Sequence, residues 1–150
     1  MKRGFSAIEL LVAIAIIAIV VAVMVVPLNN LRRRQAVNSD SEQVISLINE
    51  ARSRTISAVG GAQHGVYVEA DQLTLFQGVS YPGASIQVLD LASGVSVSTI
   101  NLVGGGDVII FDKITGKTGQ SGTLVISLDA DASQERTVLI ESTGLAHLSS

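Results

Sequence analysis

The first part of the chain is dominated by apolar residues. Residues 10–28, LLVAIAIIAIVVAVMVVPL, contain no charged side chain, and the carboxylate of Glu9 directly precedes them. A helix needs about 20 apolar residues to span a bilayer, so this segment is long enough to form a membrane-spanning helix. Pro27 lies near its end, and a proline stops or kinks a helix because it lacks the backbone N–H and its ring clashes with the preceding turn.

The next segment has an amphipathic pattern. Three arginines at positions 32–34 follow the apolar segment and are predicted to anchor the chain at the membrane interface. Ser39 and Asp40 lie ahead of Glu42, so a local helix cap is expected there if the helix breaks. Glycines at 60 and 61 end the helix, which would be about 80 Å long if it is nearly continuous. Apolar residues recur at spacings of three, four and seven, and they predict one buried face: Val37, Val44, Ile45, Ile48, Ala51 and Ile56.

After residue 61 the chain alternates between short apolar runs and turn residues. These runs predict seven strands, at residues 65–70, 72–77, 85–91, 95–102, 108–112, 122–128 and 136–142. The alternation is clearest in the last two strands, where apolar residues recur at every second position. The predicted fold class is α+β, with a long N-terminal helical spine packed against a C-terminal antiparallel β-sheet domain.

The charge distribution limits the partners of the C-terminal part. The chain has ten Lys and Arg residues against thirteen Asp and Glu residues, and five of the basic residues precede residue 36. From residue 36 onward twelve acidic residues stand against five basic ones, a net charge of −7. Binding to a phosphate backbone depends on Lys and Arg, so nucleic acid is not expected as a partner.

The pattern alone leaves two interpretations of the N-terminal segment. A secretory signal peptide accounts for Lys2 and Arg3, but its apolar region is usually about 7–15 residues long, and no small-residue cleavage site closes this one. A plain membrane anchor accounts for the length but gives Glu9 no role, although a charge in a membrane span is costly. Basic residues flank the segment on both sides, and the positive-inside rule alone would place the C-terminal part in the cytoplasm.

A third interpretation comes from the residues around the start of the apolar segment. A short basic leader ending in Gly4, then Phe5, then Glu9 and an aliphatic segment, resembles the class III leader of type IV pilins and type II secretion pseudopilins. The resemblance implies that a prepilin peptidase cuts between Gly4 and Phe5 and that Phe5 becomes the N-methylated first residue. It also implies that Glu9 acts in filament assembly and that a kink lies near Pro27, since this family often has a proline thereabouts.

The chemistry of Glu9 agrees with an assembly role. Cleavage would give Phe5 a new α-amino group, which is cationic near neutral pH. Glu9 lies about one helical turn further along and on the same face. A carboxylate in a low-dielectric environment needs a partner, and this amine, or the amine of a neighbouring subunit, is the candidate.

The resemblance also implies a domain organisation and a set of partners. Residues 1–4 are the leader, residues 5–28 the transmembrane and assembly half of the helix, residues 29–60 its amphipathic half, and residues 61–150 the β-rich globular domain. The expected partners are the prepilin peptidase, other pilin or pseudopilin subunits and an inner-membrane assembly platform. The expected location is the inner membrane, with a single span and the C-terminal domain outside the cytoplasm, and the pilus or pseudopilus after assembly.

Three further stretches resemble one subgroup of the family. The size of the chain and the order of its elements are similar to the GspH/FimT group of minor pseudopilins. The stretches that carry this similarity are NEARSRTIS, DVIIFDKITGKTGQSGTLVISL and RTVLIESTGLAHL.

No residue pattern points to enzymatic chemistry. Asp129, Asp131 and Glu135 place carboxylates at alternate positions, as a calcium loop does, but the glycine and the twelve-residue span of an EF-hand are missing, and a solvated hairpin turn explains them equally well. His64 and His147 have no partner at metal-binding spacing and are expected at surface or edge positions. The chain has no cysteine, which excludes disulfides and thiolate metal sites. No nucleophile elbow, phosphate-binding loop or HExxH motif occurs, so neither catalysis nor a cofactor is expected.

The sequence therefore predicts a structural minor subunit of a pseudopilus or type IV pilus, matured by prepilin peptidase and acting in type II protein secretion. One alternative is a minor pilin that presents a DNA-uptake or adhesion surface; the net charge of −7 argues against DNA, although Arg52, Arg54 and Arg136 could still form a local patch. The other is a membrane-anchored β domain that never polymerises, which would leave Glu9 unexplained.

Overall fold

The computed structural model describes residues 6–149, without the side chains of residues 23–30 and 59. The chain divides into two compact units, Met1–Gln35 and Ala36–Ser150, which we call the first and second units. A single helix, α1, runs over Ala7–Ile56 and contributes to both units. It continues through position 27, so Pro27 does not end it; the bend at Pro27 stays a prediction.

Within the second unit, α1 buries one face as its apolar spacing predicts. Val37, Val44, Ile48 and Ala51 are at most 3% exposed. Ile45 is only partly buried, and Leu47, which the spacing does not select, is buried as well. The prediction for Ile56 is wrong: it is the last residue of the helix and is 39% exposed. The helix ends at Ile56, after which Ala58 adopts a left-handed φ of 50° and a 3₁₀ turn spans Val59–Gly61.

Eight strands follow the helix and form two sheets. They are β1 His64–Val68, β2 Gln72–Gln77, β3 Ala84–Asp90, β4 Val95–Leu102, β5 Val108–Ile110, β6 Gly122–Leu128, β7 Asp131–Ile140 and β8 Ala146–Leu148. The strand orders are β3-β2-β1-β5 and β4-β6-β7-β8, and all pairs are antiparallel. The predicted antiparallel architecture is confirmed, but one sheet was expected and two are found, because β4 pairs with β6 and not with β3, and β5 pairs with β1.

One core joins the helix to both sheets. Its buried members come from α1 (for example Ile48), from the first sheet (Leu73) and from the second sheet (Ile126), and each of these three side chains is fully buried. Because the helix face is shared, neither sheet could keep its apolar face out of water if α1 were removed.

Two ends of the second unit are defined by where α1 enters it and where α1 stops. At the proximal end, Asp40 is 5% exposed and its Oδ2 accepts a hydrogen bond of 2.8 Å from the Ala92 N–H in the β3–β4 connection. The helix is unbroken here, so the cap that a break would have allowed at Asp40 does not form, and the carboxylate accepts from a loop donor instead. At the distal end, Arg52 Nε donates to the Thr143 carbonyl oxygen at 3.1 Å.

Candidate functional site

The first unit presents a helix with exposed apolar side chains. Ten large aliphatic side chains between residues 8 and 21 are 45–69% exposed, and at 100° per residue they cover every side of the helix: Ile8, Leu10, Leu11, Val12, Ile14, Ile16, Ile17, Ile19, Val20 and Val21. Contiguous exposed apolar surface of this kind marks protein or membrane interaction sites. Among the described residues, no helix reaches the length and hydropathy required to cross a bilayer.

Glu9 is the acidic residue in the first turn of α1, at the head of this apolar surface. Its Oε2 accepts a hydrogen bond of 3.3 Å from the Ser6 backbone N–H, and the side chain is exposed. A carboxylate at a helix N-terminus is favoured by the helix dipole and by the unpaired N–H groups of the first turn. The position leaves Glu9 accessible to a cation from another molecule.

The other residues predicted to act in processing and anchoring are placed as follows. Gly4 and Phe5, where cleavage and N-methylation are predicted, lie outside the described residues. The arginines at 32–34 are exposed on α1 in the first unit. Their membrane anchoring stays a prediction.

The acidic segment considered for calcium spans the β6–β7 turn and the start of β7. Asp129 Oδ1 accepts a hydrogen bond of 2.6 Å from Ser96 Oγ, and Asp131 Oδ1 accepts one of 2.6 Å from Ser133 Oγ. Glu135 lies within β7, opposite Ser127 of β6. In the part of the chain that the structure describes, no group of three or more acidic or histidine side chains could hold a metal ion.

The expectation that His64 lies at the surface is wrong. His64 is 1% exposed at the start of β1, and its N–H donates to Thr55 Oγ1 at 3.0 Å, while that hydroxyl also donates to the Ala51 carbonyl oxygen. Burial and, secondarily, the Arg54 guanidinium lower the pKa of His64. The burial of His64 could have been inferred from Thr55, because a hydroxyl on the last turn of a helix can form a hydrogen bond with the chain that follows. His147 is exposed in β8, as expected.

The lowered pKa of His64 predicts a pH dependence of stability. A histidine whose pKa is lower folded than unfolded binds a proton more readily when unfolded, so the free energy of unfolding should fall as pH drops below about 6.5. Chemical unfolding of the full chain in detergent, followed by circular dichroism at about pH 7.5 and pH 5.5, measures this. His147→Gln should leave the dependence unchanged, whereas His64→Gln should flatten it; an equal slope in both variants would contradict the assignment to His64.

The arginine patch required for a nucleic-acid surface is not formed. Arg136 Nε donates to Asn38 Oδ1 at 2.8 Å at the proximal end. Arg52 is at the distal end, as is Arg54, whose guanidinium pairs with Glu50 at 2.7 Å. The antiparallel order explains this separation, because β7 runs from the proximal end, where Arg136 lies, towards the distal end.

The distal end carries a feature that the sequence did not reveal. Ile114 is 88% exposed and has a φ of +75°, which is an outlier for a β-branched residue. It lies in the distal loop, which we define as residues 112–117, between the exposed Lys113 and Lys117. Backbone hydrogen bonds from Asp112 N to the Lys117 oxygen and from Gly116 N to the Asp112 oxygen close this loop.

Sequence comparisons and structure comparisons give different answers. No family model matches the chain, and no curated protein matches it. Several solved structures, however, are similar to the structure of this chain. The type IV minor pilin FimU of Pseudomonas aeruginosa (strain PAO1) has 17% sequence identity and a TM-score of 0.60 over 78% of this chain and 90% of that chain.

A second protein with a similar structure is the minor pseudopilin EpsH from the type II secretion system of Vibrio cholerae. One EpsH structure has 15% identity and a TM-score of 0.60 over 77% of this chain and 94% of that chain. Another has 14% identity and a TM-score of 0.58 over 76% of this chain and 96% of that chain. At identities this low the structural similarity shows the fold alone, and at that level it confirms the resemblance to type IV pilins and type II pseudopilins. The chain has the pilin-like α+β fold of minor type IV pilins and minor type II pseudopilins.

Proposed function

We propose that this chain is a structural, non-enzymatic minor subunit of a pseudopilus or type IV pilus. The observation that carries the proposal is the combination of a pilin-like second unit with an α1 segment whose apolar side chains are exposed on every side behind Glu9. Such a surface needs lipid before assembly and other subunits afterwards. Packing of these apolar helices would form the filament interior, and the second units would coat its outside.

Maturation is part of the proposal. Before assembly the apolar segment anchors the chain in the inner membrane, with the second unit outside the cytoplasm. Prepilin peptidase cuts between Gly4 and Phe5 and methylates Phe5, and the assembly platform extracts the product. The new amine of Phe5 and the carboxylate of Glu9 then supply opposite charges at the head of each helix, within one subunit or between two.

The experiment that tests this proposal is the intact mass and N-terminal sequence of the chain. The protein is purified from membranes of cells with and without active prepilin peptidase. We expect a chain that begins at N-methylated Phe5 in the first case and one that retains Gly4 in the second. If the chain retains residues 1–4 in both preparations, or is cut near residue 28, the proposal fails. The chain would then be a membrane-anchored or secreted β domain.

We further propose that the subunit acts in type II secretion. FimU and EpsH have equal TM-scores to this chain, so this choice rests on the sequence resemblance to the minor pseudopilin group. Deleting the gene should stop release of secreted proteins and leave surface pili intact. If surface pili are lost while protein secretion stays normal, the subunit belongs to a type IV pilus instead.

A further inference from the structure

The outer face of the first sheet carries a row of residues that crosses all four strands. Strand pairing aligns one residue from each strand, in the order of the sheet: Val88, Thr74, Tyr67 and Val108. Their neighbours in sequence, such as Leu73 and Ile109, are buried in the shared core, so by alternation the row faces away from that core. Val88 is 48% exposed. We call the surface formed by this row the outer face.

Two tyrosines form the centre of the outer face. The rings of Tyr67 and Tyr81 are stacked, with centroids 4.0 Å apart and an angle of 11° between their planes. The edge of the fully buried Phe76 contacts Tyr81, with centroids 5.4 Å apart. Tyr81 lies in the β2–β3 connection and is 38% exposed, and Val79 in the same connection is 71% exposed. The centre is therefore a surface aromatic pair with apolar residues beside it.

Glycines allow the β2–β3 connection to close over Phe76. A Cβ on Gly83 would lie 2.6 Å from the Gln77 carbonyl oxygen and 2.8 Å from Phe76 Cδ2. A Cβ on Gly65 would lie 2.7 Å from Phe76 Cζ. Neither position accepts a side chain without a shift of its neighbours. The tyrosine pair is thus held in place before a partner arrives, which reduces the entropy that binding costs.

The segment that builds this sheet contains no basic side chain. Residues 62–111 include all four of its strands and have no lysine or arginine, and their one histidine, His64, is buried. The same residues include four carboxylates: Glu69, Asp71, Asp90 and Asp107. Any positive charge that neutralises them at an interface must therefore come from the partner.

Three of these carboxylates lie beside the tyrosine pair. Asp90 pairs with Gln72 across β2 and β3, and Gln72 Nε2 donates a hydrogen bond to Glu69 Oε2. The Asp107 carbonyl oxygen accepts a hydrogen bond of 2.8 Å from β1, which fixes Asp107 at the end of that strand. Burial and then the charges of Glu69 and Asp107 raise the pKa of Tyr67, which agrees with carboxylates close to its hydroxyl.

We propose that the outer face binds an arginine-bearing segment of a different protein, with a guanidinium against the tyrosine pair and beside the carboxylates of Glu69 and Asp107. A cation is attracted to the face of an aromatic ring, and a carboxylate adds a charge-assisted hydrogen bond. Arginine fits better than lysine, because its planar group stacks on a ring while its N–H groups donate to carboxylates. The exposed Val79 and Val88 would contact apolar residues next to the arginine.

The charge of the outer face decides between this occupant and two others. A second copy of the same face would bring four more carboxylates and no basic residue, and like charges across an interface are costly. A neutral carbohydrate could stack on tyrosine, but it would leave the carboxylates without a cation. An arginine-bearing segment uses both the rings and the carboxylates. The inference goes beyond the proposed function, since it concerns only the first sheet.

Tyrosine fluorescence of the full chain in detergent measures binding at the outer face, because Tyr67 and Tyr81 are the two tyrosines of the chain and it has no tryptophan. The probe is a short synthetic peptide that alternates arginine with isoleucine. The matched peptide carries citrulline, which has nearly the shape of arginine but no charge. We expect a saturable change in emission with the arginine peptide and at least about tenfold weaker binding of the citrulline peptide. No saturable change at about 1 mM peptide, or equal binding of both peptides, would overturn the proposal.

Paired variants separate the outer face from a general attraction between an acidic chain and a basic peptide. Glu69→Gln/Asp107→Asn removes two charges without changing side-chain size and should weaken binding by about tenfold. The matched control Asp129→Asn/Glu135→Gln removes the same charge from two exposed residues of the β6–β7 region and should bind as the wild type does. Equal weakening in both variants, or in neither, contradicts the proposal. Circular dichroism checks that both variants keep the fold.

The same fluorescence measurement identifies the other occupants. A saturable response to a neutral oligosaccharide such as cellotetraose, in place of the response to the arginine peptide, would make the outer face a carbohydrate site. Emission that changes with protein concentration would indicate contact between copies of the chain. Either result overturns the arginine assignment. Neither affects the proposed function, which the N-terminal mass tests separately.

Discussion

Replacing Glu9 by alanine should nearly abolish incorporation of the chain into filaments. After cleavage, the Phe5 amine and the Glu9 carboxylate would be the two charges at the head of an otherwise apolar helix. Removing one partner of a buried ion pair leaves the other charge uncompensated, which costs about 3–5 kcal/mol. Each 1.4 kcal/mol is tenfold in an equilibrium constant, so incorporation should fall by about a hundredfold or more.

The measurement compares sheared filaments with membranes, both quantified by intact mass. Glu9→Gln keeps the size and the hydrogen-bonding capacity but removes the charge, and it should fail nearly as completely as Glu9→Ala. Glu42→Ala is the matched control, because Glu42 is an exposed acidic residue further along the same helix. It should assemble normally.

Cleavage between Gly4 and Phe5 must be measured in the same experiment. Glu9→Ala should still be cut between Gly4 and Phe5, so that the defect lies in assembly. If the variant retains its leader, the carboxylate acts in recognition by the peptidase. If the variant is processed and enters filaments as well as the wild type does, the Glu9–amine account fails.

Local patterns predict most of the secondary structure. The apolar spacing gives the buried face of α1, and β2, β4 and β6 begin and end where alternation and turn residues place them. These strands are bounded by residues such as Gly78 and Gly94, which have positive φ and break the pattern in the sequence itself. The amphipathic helix followed by short strands was enough to predict the α+β fold class.

Features that depend on distant contacts were not predictable in this way. The polar start of β7, at residues 131–135, looks like a turn, but Asp131 and Glu135 pair with Leu128 and Ser127 of β6 on either side of a register shift. The three-residue strand β8 is held by Asn49 of α1, whose amide bonds both the N–H and the carbonyl oxygen of Ala146 at 3.1 Å. Burial of Asp40 and His64 likewise depends on donors and acceptors far away in sequence or beyond a turn. Polar residues of this kind look solvent-exposed until their partners are known.

Replacing Phe111 by alanine should destabilise the second unit more than most single changes. Phe111 is fully buried in the shared core, directly after β5 and before the distal loop. Its N–H donates to the His64 carbonyl oxygen at 3.2 Å, and its own carbonyl oxygen accepts from Gln63 Nε2 at 3.1 Å. Truncating a buried phenylalanine to alanine costs about 3–5 kcal/mol, out of a total stability of about 5–15 kcal/mol for a typical domain.

Chemical unfolding of the full chain in detergent measures this loss. Phe111→Leu, which refills most of the volume, should lose much less, and Val79→Ala, at a side chain that is 71% exposed, should change little. A loss below about 1 kcal/mol for Phe111→Ala would mean that the ring does not join the sheets and helix as described. The proposed cleavage site precedes α1, far from Phe111 in the sequence, so Phe111→Ala should still be cleaved between Gly4 and Phe5. Cleavage without a stable second unit would show that the proposed processing does not require the fold of that unit.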